Sequence, residues 1–286
     1  MVQNKGLIFK SVPSGWPVVG KDIAVEDRPI DLDATEPPKD GLLIRNYYLS
    51  FDPYQRGRMR PKEVASYSPA FDLDKPITNS AVSKVLKSSN SKYQPGDVIV
   101  TLGACPTEEY SVLSADIVKA SVKKLDNPYN IDPKVFIGAL GMPGLTAYSS
   151  FYEIGQPQKG ETIFISAASG AVGQLVGQLA KHEGLKVIGS VGDDKKLDFI
   201  EKELGFDGGF NYKNEKPADA LARLAPKGID IYFENVGGEQ LEAAINAMNN
   251  HGRISTSWLA VLTLSIFILT AHSCMRHDIA IQPEAE

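Results

Sequence analysis

The residues best suited to chemistry begin with a turn of small side chains. TIFI (162–165) is a short β-branched and aromatic run, Ser-Ala-Ala-Ser-Gly-Ala-Val-Gly (166–173) follows it, and an apolar pattern of helical period comes next. That order reads as a buried parallel strand entering a tight strand-to-helix turn. On the dinucleotide-binding template Ala168, Gly170 and Gly173 take the three small-residue positions, with Ala171 and Val172 between them. Small side chains there let the backbone approach a pyrophosphate, whose charge the N-terminus of the following helix favours.

The next strand tells which dinucleotide. An NAD site places Asp or Glu at that strand's end, about 20 residues past the glycines, to bind the ribose hydroxyls. Here the strand ends Gly-Ser-Val-Gly (189–192), small and uncharged, with Lys195 and Lys196 just after. This arrangement suits a 2′-phosphate and favours NADP over NAD. Two lysines opening an exposed helix is the plainer alternative, and Asp193 and Asp194 oppose a phosphate unless they face solvent or cap that helix.

A carbonyl-directed oxidoreductase also needs a donor for charge developing on oxygen. The run NYYLSFDPYQRGRM (46–59) is dense in such groups. Tyr48 is the first choice, because a phenol can hydrogen-bond a carbonyl oxygen and its ring can flank a flat molecule. A Tyr pair in a β domain also serves simply as packing, and Arg56 and Arg58 read as structural ion-pair partners. A catalytic zinc needs about three Cys, His or carboxylate ligands. The first 181 residues hold no histidine and one cysteine, Cys105, while His182, His251, His272, His277 and Cys274 lie late in the chain. No metal site is expected, and the chemistry is expected to run without a metal Lewis acid.

These groups need elements to hold them. At 286 residues two domains are the natural organisation. With 43% hydrophobic and 23% charged residues the chain reads as globular, and a net charge of −5 gives no basic footprint for nucleic acid. Two cysteines make no disulfide framework, and no secretory signal is visible, so a cytoplasmic location is expected. Residues 1–120 carry strand-like runs at 23–25, 41–44, 81–86, 97–101 and 109–113, with a Gln-Pro-Gly-Asp turn at 94–97. Beyond 121 short helices are expected at 134–140 and 146–154. Strands at 162–165, 186–190, 209–212, 230–234 and 252–254 then alternate with helices at 173–183, 195–204, 217–224 and 239–248. That alternation signals βαβ units and a parallel sheet.

Five runs carry a family resemblance: YLSFDPYQRGRM (48–59), GMPGLTAY (141–148), AASGAVGQLVGQLAK (167–181), LGFD (204–207) and ENVGG (234–238). In this order and at these intervals they resemble the zinc-independent medium-chain dehydrogenases/reductases, within them the leukotriene B4 dehydrogenase, prostaglandin reductase and alkenal double-bond reductase group. The resemblance covers roughly residues 5 to 254. It implies an α/β chain: a GroES-like substrate domain (1–120), then a Rossmann doubly wound parallel sheet (121–254), with the active site between the two. It further implies reduction of the C=C bond of α,β-unsaturated aldehydes and ketones by NADPH, through an enolate protonated at the α carbon. By the same resemblance Lys196 holds the 2′-phosphate, Tyr212 lies beside it, Asn235 lies near the cofactor, Met142 and Pro143 border the nicotinamide, and Tyr48 lines the substrate pocket.

The chain departs from the family after Ile254. The 32 residues that follow are almost uncharged up to Arg276 and do not resemble the family's last strands, which leaves the Rossmann sheet incomplete at that end. Three readings stand for 255–286: a truncated or alternatively spliced tail, an element that patches the sheet edge, or a membrane anchor through 255–275, whose length reaches that of a spanning helix. Loss of the family's C-terminus also opens an alternative function, NADPH binding with little or no turnover. Family members often pair through their Rossmann sheets, so a homodimer is a further expectation.

Overall fold

The computed structural model describes residues 1–256. The segment from 257 on, which carries nearly all of the unusual tail, lies outside the described residues. Contacts divide the chain into two compact units, Met1–Gly138 and the part from Ala139 onward.

The first unit is rich in antiparallel sheet. In chain order it holds β1 (Lys5–Phe9), β2 (Ile23–Asp27), β3 (Leu42–Leu49), the short helix α1 (Tyr54–Arg58), β4 (Lys75–Pro76), β5 (Thr78–Ser88), β6 (Val98–Pro106), β7 (Tyr110–Leu113), α2 (Ala115–Ser121) and β8 (Val122–Lys124). One sheet has the order β2-β1-β4 and the other β7-β3-β5-β6-β8. The larger sheet buries Leu42, Ile44, Ala81, Val85 and Ile99 with Leu113 and Val118. All five strands expected here form, and β1, β4, β8 and both helices join them. A 3-10 turn, Pro133–Ile137, sets Ile137 against Val82 and Val100. This contact explains why the unit runs to Gly138, past the change of sequence pattern at 121.

The second unit begins with α3 (Met142–Ser149), which winds on as a π-helical turn, Ser150–Gly155. Then come β9 (Thr162–Ile165), α4 (Gly173–His182), β10 (Lys186–Val191), α5 (Asp194–Asp198), β11 (Gly208–Asn211), α6 (Pro217–Leu224), β12 (Ile229–Glu234), α7 (Gly238–Asn246) and β13 (Met248–Thr256). The five strands are parallel in the order β11-β10-β9-β12-β13. Side chains alternate across this sheet as the pleat requires. Ile163, Ile165, Val187, Ile231 and Phe233 face α4 and its neighbours. Phe164, Ile188, Phe210 and Tyr232 face α6 and α7. Helices cover both faces, which is the doubly wound arrangement and why the central strand β9 is wholly apolar and its neighbours mostly so.

Two expectations are corrected. The sequence predicts the start of a last strand at 252–254 and reads the residues from Ser255 as foreign to a Rossmann sheet. Ser255 and Thr256 in fact extend β13, in register with Phe233 and Glu234. The buried Ser255 hydroxyl donates to the Ser150 carbonyl at 3.4 Å, and Arg253 forks onto Glu161 with a 2.6 Å ion pair. The helix expected over 195–204 starts as α5 but continues as a π-helical turn, Phe199–Glu203. Gly184 and Gly205, at φ +79° and +72°, close the helical segments before them as left-handed terminal glycines do.

Gly177, inside α4, has the Phe206 ring where its Cβ would go. Gly177→Ala ordinarily strengthens a helix by about 1 kcal/mol. Here it should lower stability by about 1–3 kcal/mol because the ring is buried and has no room to retreat. Urea unfolding of the single variant, and of Gly177→Ala combined with Phe206→Leu, checks this; the double variant should recover most of the loss.

Candidate functional site

The sheet order reverses at β9. The chain steps outward to β10 and β11, then returns to β12 on β9's other side. Such a reversal opens a crevice beyond the carboxyl ends of the two central strands, where doubly wound sheets bind ligands. The small-residue turn leaves β9 at that point. Ala167 adopts φ +47°, Ala168 N–H donates to Ser190 O at 2.9 Å, and Gly170 N–H donates to Ala167 O at 2.8 Å. A Cβ on Gly173 would lie 2.6 Å from Ala167 O and 2.9 Å from Ala168 Cα. A Cβ on Gly189 would lie 2.6 Å from the Ala168 methyl. The turn is therefore as tight as its composition implies, and only glycine lets α4 begin against it. The first turn of α4 has no acidic side chain, while Lys181 and His182 lie in its last turn. Both features leave the positive end of the helix dipole directed at the crevice. Ala168, Gly170, Ala171, Val172 and Gly173 all belong to this turn, and α3, which opens on Met142 and Pro143, packs against α4.

The loop leaving β12 meets the same turn. Asn235 N–H donates to Ser166 Oγ and Asn235 Nδ2 to Ser166 O, both at 2.8 Å. Glu234, 1% exposed, accepts on Oε1 from Val236 N–H and from Gly237 N–H, the latter at 2.6 Å. Ser166 Oγ lies within 3.4 Å of that same oxygen and of Phe233 O. Sequence reasoning singled out Asn235 but passed over Glu234 and Ser166. The available signal was an acid at the end of a mostly apolar parallel strand, a residue type rarely buried without hydrogen-bond partners.

At the end of β10 the Ser190 hydroxyl donates to buried Gln240. Asp193 caps α5 by accepting from Lys196 N–H at 2.9 Å, and its carboxylate lies 3.6 Å from Lys196 Nζ. The capping N–H of Lys196 holds the Asp193 carboxyl below its ordinary pKa, with help from the Lys196 and Lys213 charges. Asp194 Oδ1 accepts from Asn211 Nδ2 at 2.8 Å. Both acids thus serve as a cap and a loop anchor, which answers the objection they raise in the sequence. Tyr212 is half exposed, and a Cβ on Gly192 would lie 2.8 Å from its hydroxyl. Lys196 and Tyr212 therefore flank one loop, 191–196.

Tyr48 belongs to the first unit, on β3 opposite Val82, and is 41% exposed. The arginines read as ion-pair partners bind backbone instead. Arg56 Nη2 donates to Gly15 O at 2.6 Å. Arg58 is buried, donates to Pro69 O at 3.0 Å and to Thr78 O and Gly103 O at 3.4 Å, and lies 4.1 Å over the Phe71 ring. Burial lowers the Arg58 pKa and raises that of Asp52. Cys105 is buried, and burial pushes its thiol up to about 12, so it carries no thiolate at neutral pH. Among the described residues no three His, Cys, Asp or Glu side chains are grouped as metal ligands, so this part of the chain offers zinc no fitting donor set. No helix among the described residues is long and apolar enough to cross a membrane.

Residues 5–120 match the family model described as the N-terminal domain of oxidoreductase, and residues 171–281 match the one described as zinc-binding dehydrogenase. The chain is 59% identical over 257 residues to the NADP-dependent oxidoreductase RED1 of Cochliobolus heterostrophus, covering 90% of this chain and 72% of that protein. It is 45% identical over 255 residues to the NADP(+)-dependent 2-alkenal reductase of Nicotiana tabacum, covering 89% and 72%. Its fold is similar to that of CurA in complex with NADPH from Vibrio vulnificus, with a TM-score of 0.80, 29% identity, and coverage of 97% of this chain and 81% of that one. With these matches across both units, the chain belongs to the medium-chain dehydrogenase/reductase family.

Proposed function

We propose that this chain is an NADPH-dependent oxidoreductase that reduces the carbon–carbon double bond of α,β-unsaturated aldehydes and ketones. The observation that carries the cofactor half is the turn at the end of β9, a cradle that a Cβ at 173 or 189 would fill. Its backbone lets a pyrophosphate approach the start of α4. An uncharged end to β10, with the Lys196 ammonium and the Tyr212 hydroxyl beside it, fits a 2′-phosphate and offers no carboxylate to two free ribose hydroxyls. Ala168, Gly170, Ala171, Val172 and Gly173 would hold the pyrophosphate, and Asn235, Met142 and Pro143 would lie toward the nicotinamide. Relatives named as an NADP-dependent oxidoreductase and an NADP(+)-dependent 2-alkenal reductase support the reading.

Bound NADPH supplies a hydride for the β carbon of the substrate. The chain's own contribution is to orient the partners and to steady the charge that develops on the substrate oxygen. Tyr48 is assigned the donor role: its phenol gives a hydrogen bond to the carbonyl oxygen, which strengthens as that oxygen becomes enolate-like. Protonation at the α carbon then completes the reduction. No metal is needed for this charge stabilisation.

The full chain with NADPH and a simple enone should consume the enone as NADPH absorbance falls. Binding of NADPH without oxidation across an enone panel would overturn the enzyme reading in favour of a binding protein without turnover.

Lys196→Ala should raise the NADPH dissociation constant about tenfold or more and leave that for NADH unchanged. Equal effects on both nucleotides would remove Lys196 from the 2′-phosphate. Tyr48→Phe should lower kcat/KM by about a hundredfold with NADPH binding intact. Steady-state kinetics and a binding titration read these two results separately.

A further inference from the structure

The Glu234 carboxylate performs no role in the proposed reaction, yet it is buried at the point where the sheet order reverses. A carboxyl group at 1% exposure needs hydrogen bonds in place of the water it has lost. Its Oε1 accepts from two successive N–H groups of the loop after β12, Val236 and Gly237. Gly237 also opens the pair Gly237 and Gly238, whose φ values of +82° and +57° only glycine adopts with ease. Ser166, wholly buried at the end of β9, links the other side: its Oγ accepts from Asn235 N–H at 2.8 Å and lies 3.4 Å from Glu234 Oε1, and its carbonyl accepts from Asn235 Nδ2. One residue later the chain enters the left-handed Ala167 that starts the small-residue turn.

We infer that Glu234 is a positioning residue. It holds the Asn235–Gly238 loop and, through Ser166, the start of the 167–173 turn as one frame, set before any nucleotide arrives. This rests on the reading of the second unit as a dinucleotide site and adds to it the residue that fixes the distance between the two loops. The direction of the effect follows from the geometry. Its hydrogen bonds with Val236, Gly237 and Ser166 hold the ends of β9 and β12 and involve no residue of the turn between β10 and α5. Loosening it therefore weakens NADPH and NADH by the same factor, unlike a change at the 2′-phosphate end. A frame formed in advance also protects its amides in the nucleotide-free protein.

The test uses the full chain as wild type, Glu234→Ala, Glu234→Gln and Ser166→Ala. It reads amide hydrogen exchange at Val236 and Gly237 without nucleotide, and the dissociation constants of NADPH and NADH. Glu234→Ala should speed exchange at both amides by about tenfold or more and raise both dissociation constants roughly tenfold and equally. Glu234→Gln keeps an acceptor oxygen and should fall between Ala and wild type. Ser166→Ala should raise both constants in the same proportion, and it carries the test with Glu234→Gln if Glu234→Ala does not fold. Unchanged exchange in the Glu234 variants, or faster exchange with unchanged affinity, would overturn the positioning role. Failure of the wild type to bind either nucleotide would instead overturn the dinucleotide reading, and the inference with it.

Discussion

The second unit depends on a close approach of backbones at the end of β9. Helix α4 starts against Ala167 and Ala168, and β10 passes beside Ala168 at Gly189, with no volume for a Cβ at 173 or 189. Packing there is as dense as in a crystal of small organic molecules, so a methyl added at 173 must move main chain rather than a side chain. Everything toward the ligand side follows. The helix N-terminus is drawn up to the sheet, its dipole is aimed at the crevice, and β12 returns alongside to bring Asn235 onto Ser166.

A tight turn alone would leave the opposite wall free to wander, since loops beyond strand ends have few apolar contacts to hold them. The loop after β12 is held by polar groups instead. Asn235, Val236 and Gly237 present three successive N–H groups to a buried hydroxyl and a buried carboxylate. The same principle recurs beyond β10, where Asp193 and Asp194 spend their charge on Lys196 N–H and Asn211 and leave the Lys196 side chain half exposed. In the first unit Arg58 does comparable work with three carbonyls and an aromatic face, tying α1 to β5 and β6.

Much of this was legible in the sequence wherever a period repeats. The alternation of short apolar strands with helical segments located every parallel strand of the second unit to within a few residues, because burial on both faces leaves an apolar run in each central strand. Gly184 and Gly205 marked helix ends for a local reason, the left-handed conformation. What escaped was decided by partners far along the chain. β1 and β4 show no local pattern of their own and form by pairing with each other and, for β1, with β2, and α1 and α2 are too short to show a period. Arg58 looked like half of an ion pair because residue type gives charge but not which carbonyls the fold will present. Glu234 was quoted only as part of a motif, since nothing in the sequence says that Ser166 will face it 68 residues away.

On the proposed function, the turn after β9 and the turn after β10 together hold one NADPH. A crystal structure of the full chain with NADPH tests it most directly. There the pyrophosphate should lie against the backbone of 170–173 at the start of α4, and the 2′-phosphate beside Lys196 and Tyr212. A pyrophosphate bound elsewhere, or a 2′-phosphate remote from Lys196, would contradict it.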